Sequence, residues 1–219
     1  MNAGDREGRA PQESSALAPV SGLILCGGRS RRMGSDKAEL DLSGRALLDR
    51  LIEQVSPVVG ELKLACGERP RYGDRGLDLL LDEEPGAGPL AAIATALEAT
   101  GFERMLVVAC DMPRLTSALL RELVRRSVEE RLDVCWFESE RGLEPMCAVY
   151  SRRCVGLMRA ALERDQRRMT GFVDDSLRVA RVRENDLPGS LRGRDHAVNL
   201  NTPEQLAAER SAWDEEEQP

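Results

Sequence analysis

The stretch Leu23-Ile24-Leu25-Cys26-Gly27-Gly28-Arg29-Ser30-Arg31-Arg32-Met33-Gly34-Ser35-Asp36-Lys37-Ala38 decides how the chain is read. It begins as a short apolar run, the mark of a buried strand. Gly27 and Gly28 break that run, and a basic loop follows with Arg29, Arg31, Arg32, Gly34 and Lys37. A strand that opens into a glycine-rich, cationic loop lets backbone amides approach a phosphate closely. The stretch is therefore read as the nucleotide-binding loop of a phosphate-handling enzyme.

Outward from this loop, strands and helices alternate. The sequence predicts a first strand over Val20–Cys26 and a short extended piece over Ala38–Leu42, ended by Ser43-Gly44. Leu47, Leu48, Leu51, Ile52 and Val55 share one helical face, which predicts a helix over Arg45–Val59. Leu62–Cys66 and Leu77–Leu81 read as strands, the latter closed by Asp82. A turn-rich loop leads to Pro89 in the first turn of an Ala-rich helix, Leu90–Ala99. Met105–Cys110 is apolar without alternation and is predicted as a buried central strand. Thr116 or Ser117 caps a helix that runs to about Glu129. Val134–Phe137, Pro145–Tyr150 and Leu177–Val182 are strand candidates, with a helix over Ser151–Arg164. Thr202-Pro203-Glu204 starts a last helix with a Thr cap, Pro first and an acidic early turn.

This alternation predicts an α/β fold of three layers, a mostly parallel sheet with helices on both faces, forming a single domain over residues 19–211. Residues 1–18 are polar and aperiodic and are expected as a disordered leader, and residues 212–219 as a solvated acidic tail. The 219 residues suit one domain. With 42% hydrophobic and 3% aromatic residues, the core must be built of Leu, Val, Ala and Ile. A net charge of −7 argues against nucleic acid as a bulk partner. No apolar run approaches the roughly 18 residues of a membrane span. The N-terminus lacks the apolar core of a signal peptide. A cytoplasmic location is the expectation. The six cysteines form no C-x-x-C pair and are expected as small buried hydrophobes, and the single histidine, His196, as structural. A zinc site is not expected from such a set.

In a sheet of this kind, ligands bind outside the carboxyl ends of the strands. Gly27 and Gly28 follow the first strand, Asp82 the third, and Asp111 the central one. The G-x-x-x-x-G-K-[ST] and G-x-G-x-x-G patterns are both absent, so neither a P-loop ATPase nor a dinucleotide oxidoreductase is supported. Several cations beside glycine amides instead suit a triphosphate and its leaving diphosphate. Asp111 ends a buried strand, where a carboxylate is hard to explain as packing; it suits Mg²⁺ held with substrate phosphates. Asn199 and Asn201 either ligate metal or substrate or shape the turn into the last helix.

Five segments in order resemble the molybdenum cofactor guanylyltransferases and related nucleotidyltransferases. Leu25–Lys37 resembles their L-A-G-G-x-S-x-R-M-G-x-D-K loop, and Asp82–Ala91 their D-x-x-P-G-x-G-P-L-A segment. Cys110-Asp111-Met112-Pro113 matches C-D-M-P, Glu144-Pro145-Met146 resembles the short strand that faces the pterin, and Asn199–Glu204 matches N-x-N-T-P-E. The resemblance implies a Rossmann-like nucleotidyltransferase fold and transfer of GMP from GTP to the phosphate of Mo-molybdopterin, with Mg²⁺ as cofactor and diphosphate released. It implies that the backbone of Leu25, Cys26 and Gly27 contacts guanine and that Gly28 to Arg32 contact the phosphates. Lys37 and Arg32 would offset charge in the transition state, Asp82 would bind the nucleotide and Asp111 the metal. Pro145, Asn199 and Asn201 would meet the substrate.

Relatives that use CTP resemble L-A-A-G, so Gly27 is read as leaving room for the larger purine. Three positions depart from the pattern. Cys26 replaces alanine, Ala92 replaces a frequent glycine, and Ala65-Cys66-Gly67-Glu68 lacks a nucleotide-contacting asparagine. The alternatives are a nucleotidyltransferase for CTP or another phosphate acceptor, or a catalytically silent carrier of nucleotide or cofactor. Accessory GTP-binding or molybdoenzyme chaperone proteins are conceivable partners, with a monomer or weak oligomer as the assembly.

Overall fold

The computed structural model describes residues 20–27, 36–82 and 86–216. The expected leader, together with Gly28 and Arg32, lies outside the described residues. In chain order the elements are β1 (Ser21–Leu25), β2 (Asp41–Leu42), β3 (Arg45–Ala46), α1 (Leu47–Val55), β4 (Glu61–Ala65), β5 (Asp78–Leu80) and α2 (Pro89–Ala99). They continue as β6 (Arg104–Ala109), α3 (Ser117–Glu129), β7 (Val134–Ser139), β8 (Gly142–Ser151), α4 (Cys154–Glu163), β9 (Val179–Arg183) and α5 (Pro203–Glu216).

Seven strands form one sheet in the order β5-β4-β1-β6-β8-β7-β9. Among the described residues only β8 runs antiparallel to its neighbours in this sheet, β6 and β7, so the expected mostly parallel sheet is what forms. Alternate residues of the inner strands feed two cores. Ile24, Leu106 and Val108 face α1 and α3, packing with Leu48, Leu51, Leu119 and Leu123. Leu23, Met105 and Val107 face α2 and α4, packing with Leu90, Ile93, Leu97 and Met158. Both faces of β1 and β6 are thus covered, which is why their sequences are continuous apolar runs. A third, smaller cluster of Leu42, Leu47, Leu200 and Leu206 docks α5 on the β2–β3 hairpin.

Several boundaries differ from expectation: β8 starts earlier than Pro145 and takes in Ser151, so α4 begins at Cys154, and three further differences have a local cause. Lys37–Glu39 is a 3-10 turn rather than extended chain, because the Asp36 carboxylate accepts the Ala38 N–H at 3.2 Å and caps it. The helix expected over Arg45–Val59 shrinks to α1, because Arg45-Ala46 pair with Asp41-Leu42 and Pro57 falls in a separate 3-10 turn. The last helix runs to Glu216, well into the residues read as an acidic tail; Ala and Glu are good helix formers and carry it on. Of the two cap candidates, Thr116 and Ser117, it is Thr116 that caps α3, its side chain accepting the Leu119 N–H.

Pro145 lies inside β8, where a proline cannot donate to a ladder. The pairing of β7 with β8 slips there: Trp136 faces Ala148, but Phe137 faces Glu144. The Tyr150 hydroxyl secures this irregularity by donating to the Pro145 carbonyl at 2.6 Å and accepting from the Trp136 indole at 3.0 Å. Tyr150→Phe leaves both groups unpaired in a buried setting, so urea unfolding is expected to show a loss of about 1–3 kcal/mol.

Candidate active site

The strand order places a switch point at β1. From it the chain builds β4 and β5 on one side and then returns to β6 on the other. Cys26 and Gly27 follow β1, and Cys110 and Asp111 follow β6. The Cys110 N–H still bonds the Leu25 carbonyl at 3.1 Å, so the two strand ends emerge side by side. The backbone of the segment leading to α5 is tied to this edge, with the Leu200 N–H on the Asp111 carbonyl at 2.9 Å. That bond carries Asn201 into the same place. Gln205 accepts the N–H groups of Asn201 and Thr202, and Thr202 caps the Gln205 N–H, fixing the turn.

Lys37 closes the group. Its ammonium lies 3.0 Å from Asp111 Oδ2 and 2.7 Å from Asn201 Oδ1. Three residues far apart in sequence therefore meet at one cation. The second oxygen, Asp111 Oδ1, is buried and has no hydrogen-bond partner among the described residues. An unpaired buried carboxylate oxygen is costly unless something binds it. Asp111 and Asn201 together offer hard oxygen donors, the chemistry of Mg²⁺ or Mn²⁺ rather than zinc, with substrate phosphates and water left to complete the shell. The residues present thus fit a divalent cation at Asp111.

Asn199 lies beside this group rather than within it. Its amide donates to the Ala197 carbonyl at 3.3 Å and reaches the Glu144 carboxylate. Glu144 also accepts the Ser139 hydroxyl at 3.1 Å. Its half-burial pushes its pKa up, nearby Asp111 adds to the rise, and the Ser139 and Asn199 bonds and Arg141 oppose it. Pro145 sits next to Glu144 at the β8 irregularity. The pairing of β7 with β8 brings Glu144 here; the resemblance marks the Glu144-Pro145-Met146 segment, but only Pro145 of it reads as a site residue in the sequence.

Asp82 stands elsewhere on the same edge. It follows β5, three strand spacings from β6, about 14 Å away across the sheet. Its N–H bonds the Gly67 carbonyl at 2.9 Å. With Ala87, Ala92, Thr95 and Arg159 it lines a cavity of about 280 Å³ between α2 and α4. Burial, then the Glu68 charge, raises its pKa. Asp82 and the Lys37 group thus stand apart on the same edge rather than as one cluster.

Gly27 has a packing reason of its own. A Cβ there would lie 2.5 Å from the Gly67 nitrogen and 2.8 Å from its Cα. The missing side chain is accounted for by the close approach of two backbones, whichever base is bound. Gly27→Ala must push the ends of β1 and β4 apart, and a loss of about 1–3 kcal/mol is expected in denaturant unfolding.

His196 is buried, donates from Nε2 to the Leu191 carbonyl at 2.8 Å and meets Phe137 edge-on, in keeping with a structural role. All six cysteines are free and buried. Cys26, the residue that departs from alanine, sits against Cys66 with their thiols in hydrogen-bonding reach; this contact and burial raise the Cys26 pKa far above its usual range. Among the described residues no helix is long and apolar enough to cross a membrane.

Known proteins resemble this chain in sequence and fold. A probable molybdenum cofactor guanylyltransferase from Pelotomaculum thermopropionicum is 34% identical over 194 residues, covering 89% of this chain and 93% of the relative. The solved molybdopterin-guanine dinucleotide biosynthesis protein A from Archaeoglobus fulgidus superposes with a TM-score of 0.74 at 23% identity, over 90% of this chain and all of that one. A Mycobacterium tuberculosis protein solved in complex with manganese has the same fold, with a TM-score of 0.62 at 14% identity over 88% of this chain and 98% of that one. Residues 22–179 match the model of the MobA-like NTP transferase domain, so with its sheet topology and its strand-end cluster of Lys37 and Asp111, the chain belongs to that nucleotidyltransferase family.

Proposed function

We propose that this protein transfers GMP from GTP to the terminal phosphate of Mo-molybdopterin and releases diphosphate. The observation that carries the reading is the Lys37 ammonium held between Asp111 and Asn201 at the carboxyl ends of β1 and β6. The choice of guanine and of the pterin acceptor rests on the names of the relatives, since the packing of Gly27 on Gly67 accounts for that glycine without a base.

The incoming phosphate is already ionised and needs no general base. Catalysis then rests on alignment and on charge. GTP lies along the strand edge with its base toward Asp82 and its phosphates toward Lys37. The Lys37 ammonium exchanges its contacts with Asp111 and Asn201 for phosphate oxygens and offsets charge on the departing diphosphate. Arg32 and the backbone from Gly28 onward serve the same phosphates. Asp111, with Asn201 beside it, would hold Mg²⁺, which supplies Lewis-acid polarisation of the phosphoryl oxygens. Asn199 and the strand around Pro145 meet the acceptor.

Nucleotide choice is tested by protection. GTP is expected to raise the melting temperature with Mg²⁺ present, and CTP at the same concentration to raise it less. Stronger protection by CTP would sink the guanine assignment.

A further inference from the structure

Tyr72 has a left-handed backbone, with φ at +65°, which is uncommon for a bulky residue. Such a conformation persists where surrounding contacts hold it. The side chain is buried. Its hydroxyl donates to Asp36 Oδ2 at 2.6 Å. Arg71 donates to the same oxygen at 2.7 Å from Nη1. The other guanidinium nitrogen reaches the carbonyls at the ends of β4 and β1, with Cys66 O at 3.1 Å and Cys26 O at 3.4 Å. The guanidinium also lies 5.2 Å from the Tyr72 ring centroid, and Arg75 approaches the same ring at 5.7 Å. Burial and the Asp36 bond push the phenol above its ordinary range, so it stays a donor at neutral pH.

Asp36 is the residue before Lys37. Its other oxygen, Oδ1, caps the 3-10 turn by taking the Ala38 N–H at 3.2 Å. Arg75 holds the far end of that turn through Glu39 at 2.9 Å. One guanidinium therefore ties two strand ends to the carboxylate that sets the Lys37 backbone. Lysine has a flexible four-carbon stem, so the place of its ammonium depends on where its backbone is anchored.

We propose that Arg71 and Tyr72 are positioning residues for Lys37, acting through the Asp36 carboxylate. The catalytic part of this inference rests on the reading of the chain as a nucleotidyltransferase; the geometric part does not. Neither residue touches the Lys37 ammonium. Their effect is to fix Asp36 and the backbone of Lys37 in advance, and a misplacement of about 1 Å at such a group can cost about 10² in rate.

The chain has two lysines, Lys37 and Lys63, so ¹⁵N-lysine labelling gives two ammonium signals to follow. In the full-length protein without nucleotide, Arg71→Ala is expected to shift or broaden the Lys37 signal and leave that of Lys63 in place. In diphosphate release from GTP with Mo-molybdopterin, Arg71→Ala lowers kcat by about 10–10² with little change in the KM for GTP. Arg71→Lys recovers part of that loss. In a Lys37→Ala background, Arg71→Ala costs nothing further, because both changes remove the same contribution. Tyr72→Phe removes one oxygen and carries the same comparison, with a smaller loss, should Arg71→Ala fail to fold. An unmoved Lys37 signal, or an equal loss of kcat in both backgrounds, overturns the proposal. A wild-type protein that folds but releases no diphosphate overturns the enzymatic reading instead, and the ammonium signal still decides the positioning.

Discussion

Asp111→Ala is expected to lower kcat for diphosphate release by about 10²–10³, the usual loss when one preorganised electrostatic contact is removed from a transition state. The size follows from where the carboxylate stands. It ends the central strand of the sheet, with both cores packed beneath it. One oxygen meets Lys37 and the other is buried without a partner among the described residues. Asn201 Oδ1, the other oxygen that Lys37 meets, is neutral and cannot replace the carboxylate's charge. The fold should tolerate the change, because removing a buried, half-satisfied carboxylate also removes its desolvation cost. A variant that unfolds at the wild-type urea midpoint yet has lost activity identifies the loss as chemical. Titration of Mn²⁺ in the absence of nucleotide gives a second readout, with weaker binding expected in Asp111→Ala.

Lys37→Ala carries a loss of similar size, about 10²–10³ in kcat, but the two variants part company in metal binding. The ammonium now sits on the two oxygen donors that suit a cation. Its removal vacates that place, so Mn²⁺ binding without nucleotide is expected to tighten in Lys37→Ala while catalysis falls. Lys37→Arg is a sharper probe than it looks. A guanidinium is planar and forked, whereas an ammonium acts as a compact point charge. In a chain that uses arginine almost everywhere else, a lysine at this position argues that the compact charge is needed. Only partial recovery is therefore expected from Lys37→Arg. Weakened metal binding in Lys37→Ala would show that the ammonium does not share the cation's place.

What was legible in the sequence is what local chemistry marks. The apolar runs of β1 and β6 read as buried central strands because both of their faces are covered. Lys37 was legible as a lysine in a glycine-rich, cationic loop of an otherwise arginine-using chain, and Asp111 as a carboxylate directly after an apolar run; Asn201 was legible only as a candidate, with a turn-shaping role open beside it. Their meeting at one ammonium depended on the parallel pairing of β1 with β6, which the alternation of elements implied.

Contacts made across the chain were not legible. Arg71 and Tyr72 reach Asp36 from 35 and 36 residues away, and nothing in Arg-Tyr marks a left-handed tyrosine. The reason for Gly27 lies in Gly67, a neighbour only once β1 and β4 are side by side. Glu144 owes its place to a slipped pairing in β8, which the proline hinted at but did not locate. The 3-10 turn at Lys37 depends on one side-chain bond from Asp36, too weak a signal against the apolar residues that suggested extended chain.

If the Lys37–Asp111 edge catalyses nucleotidyl transfer from GTP to a pterin phosphate, diphosphate must leave only when both substrates are bound. Diphosphate release tests it most directly, measured with GTP and with CTP, each with and without Mo-molybdopterin, in the presence of Mg²⁺. Release is expected with GTP only when the acceptor is present, with a guanine dinucleotide formed in equal amount and much slower release with CTP. Release that favours CTP, or no release from GTP with the acceptor by a folded protein, would contradict it.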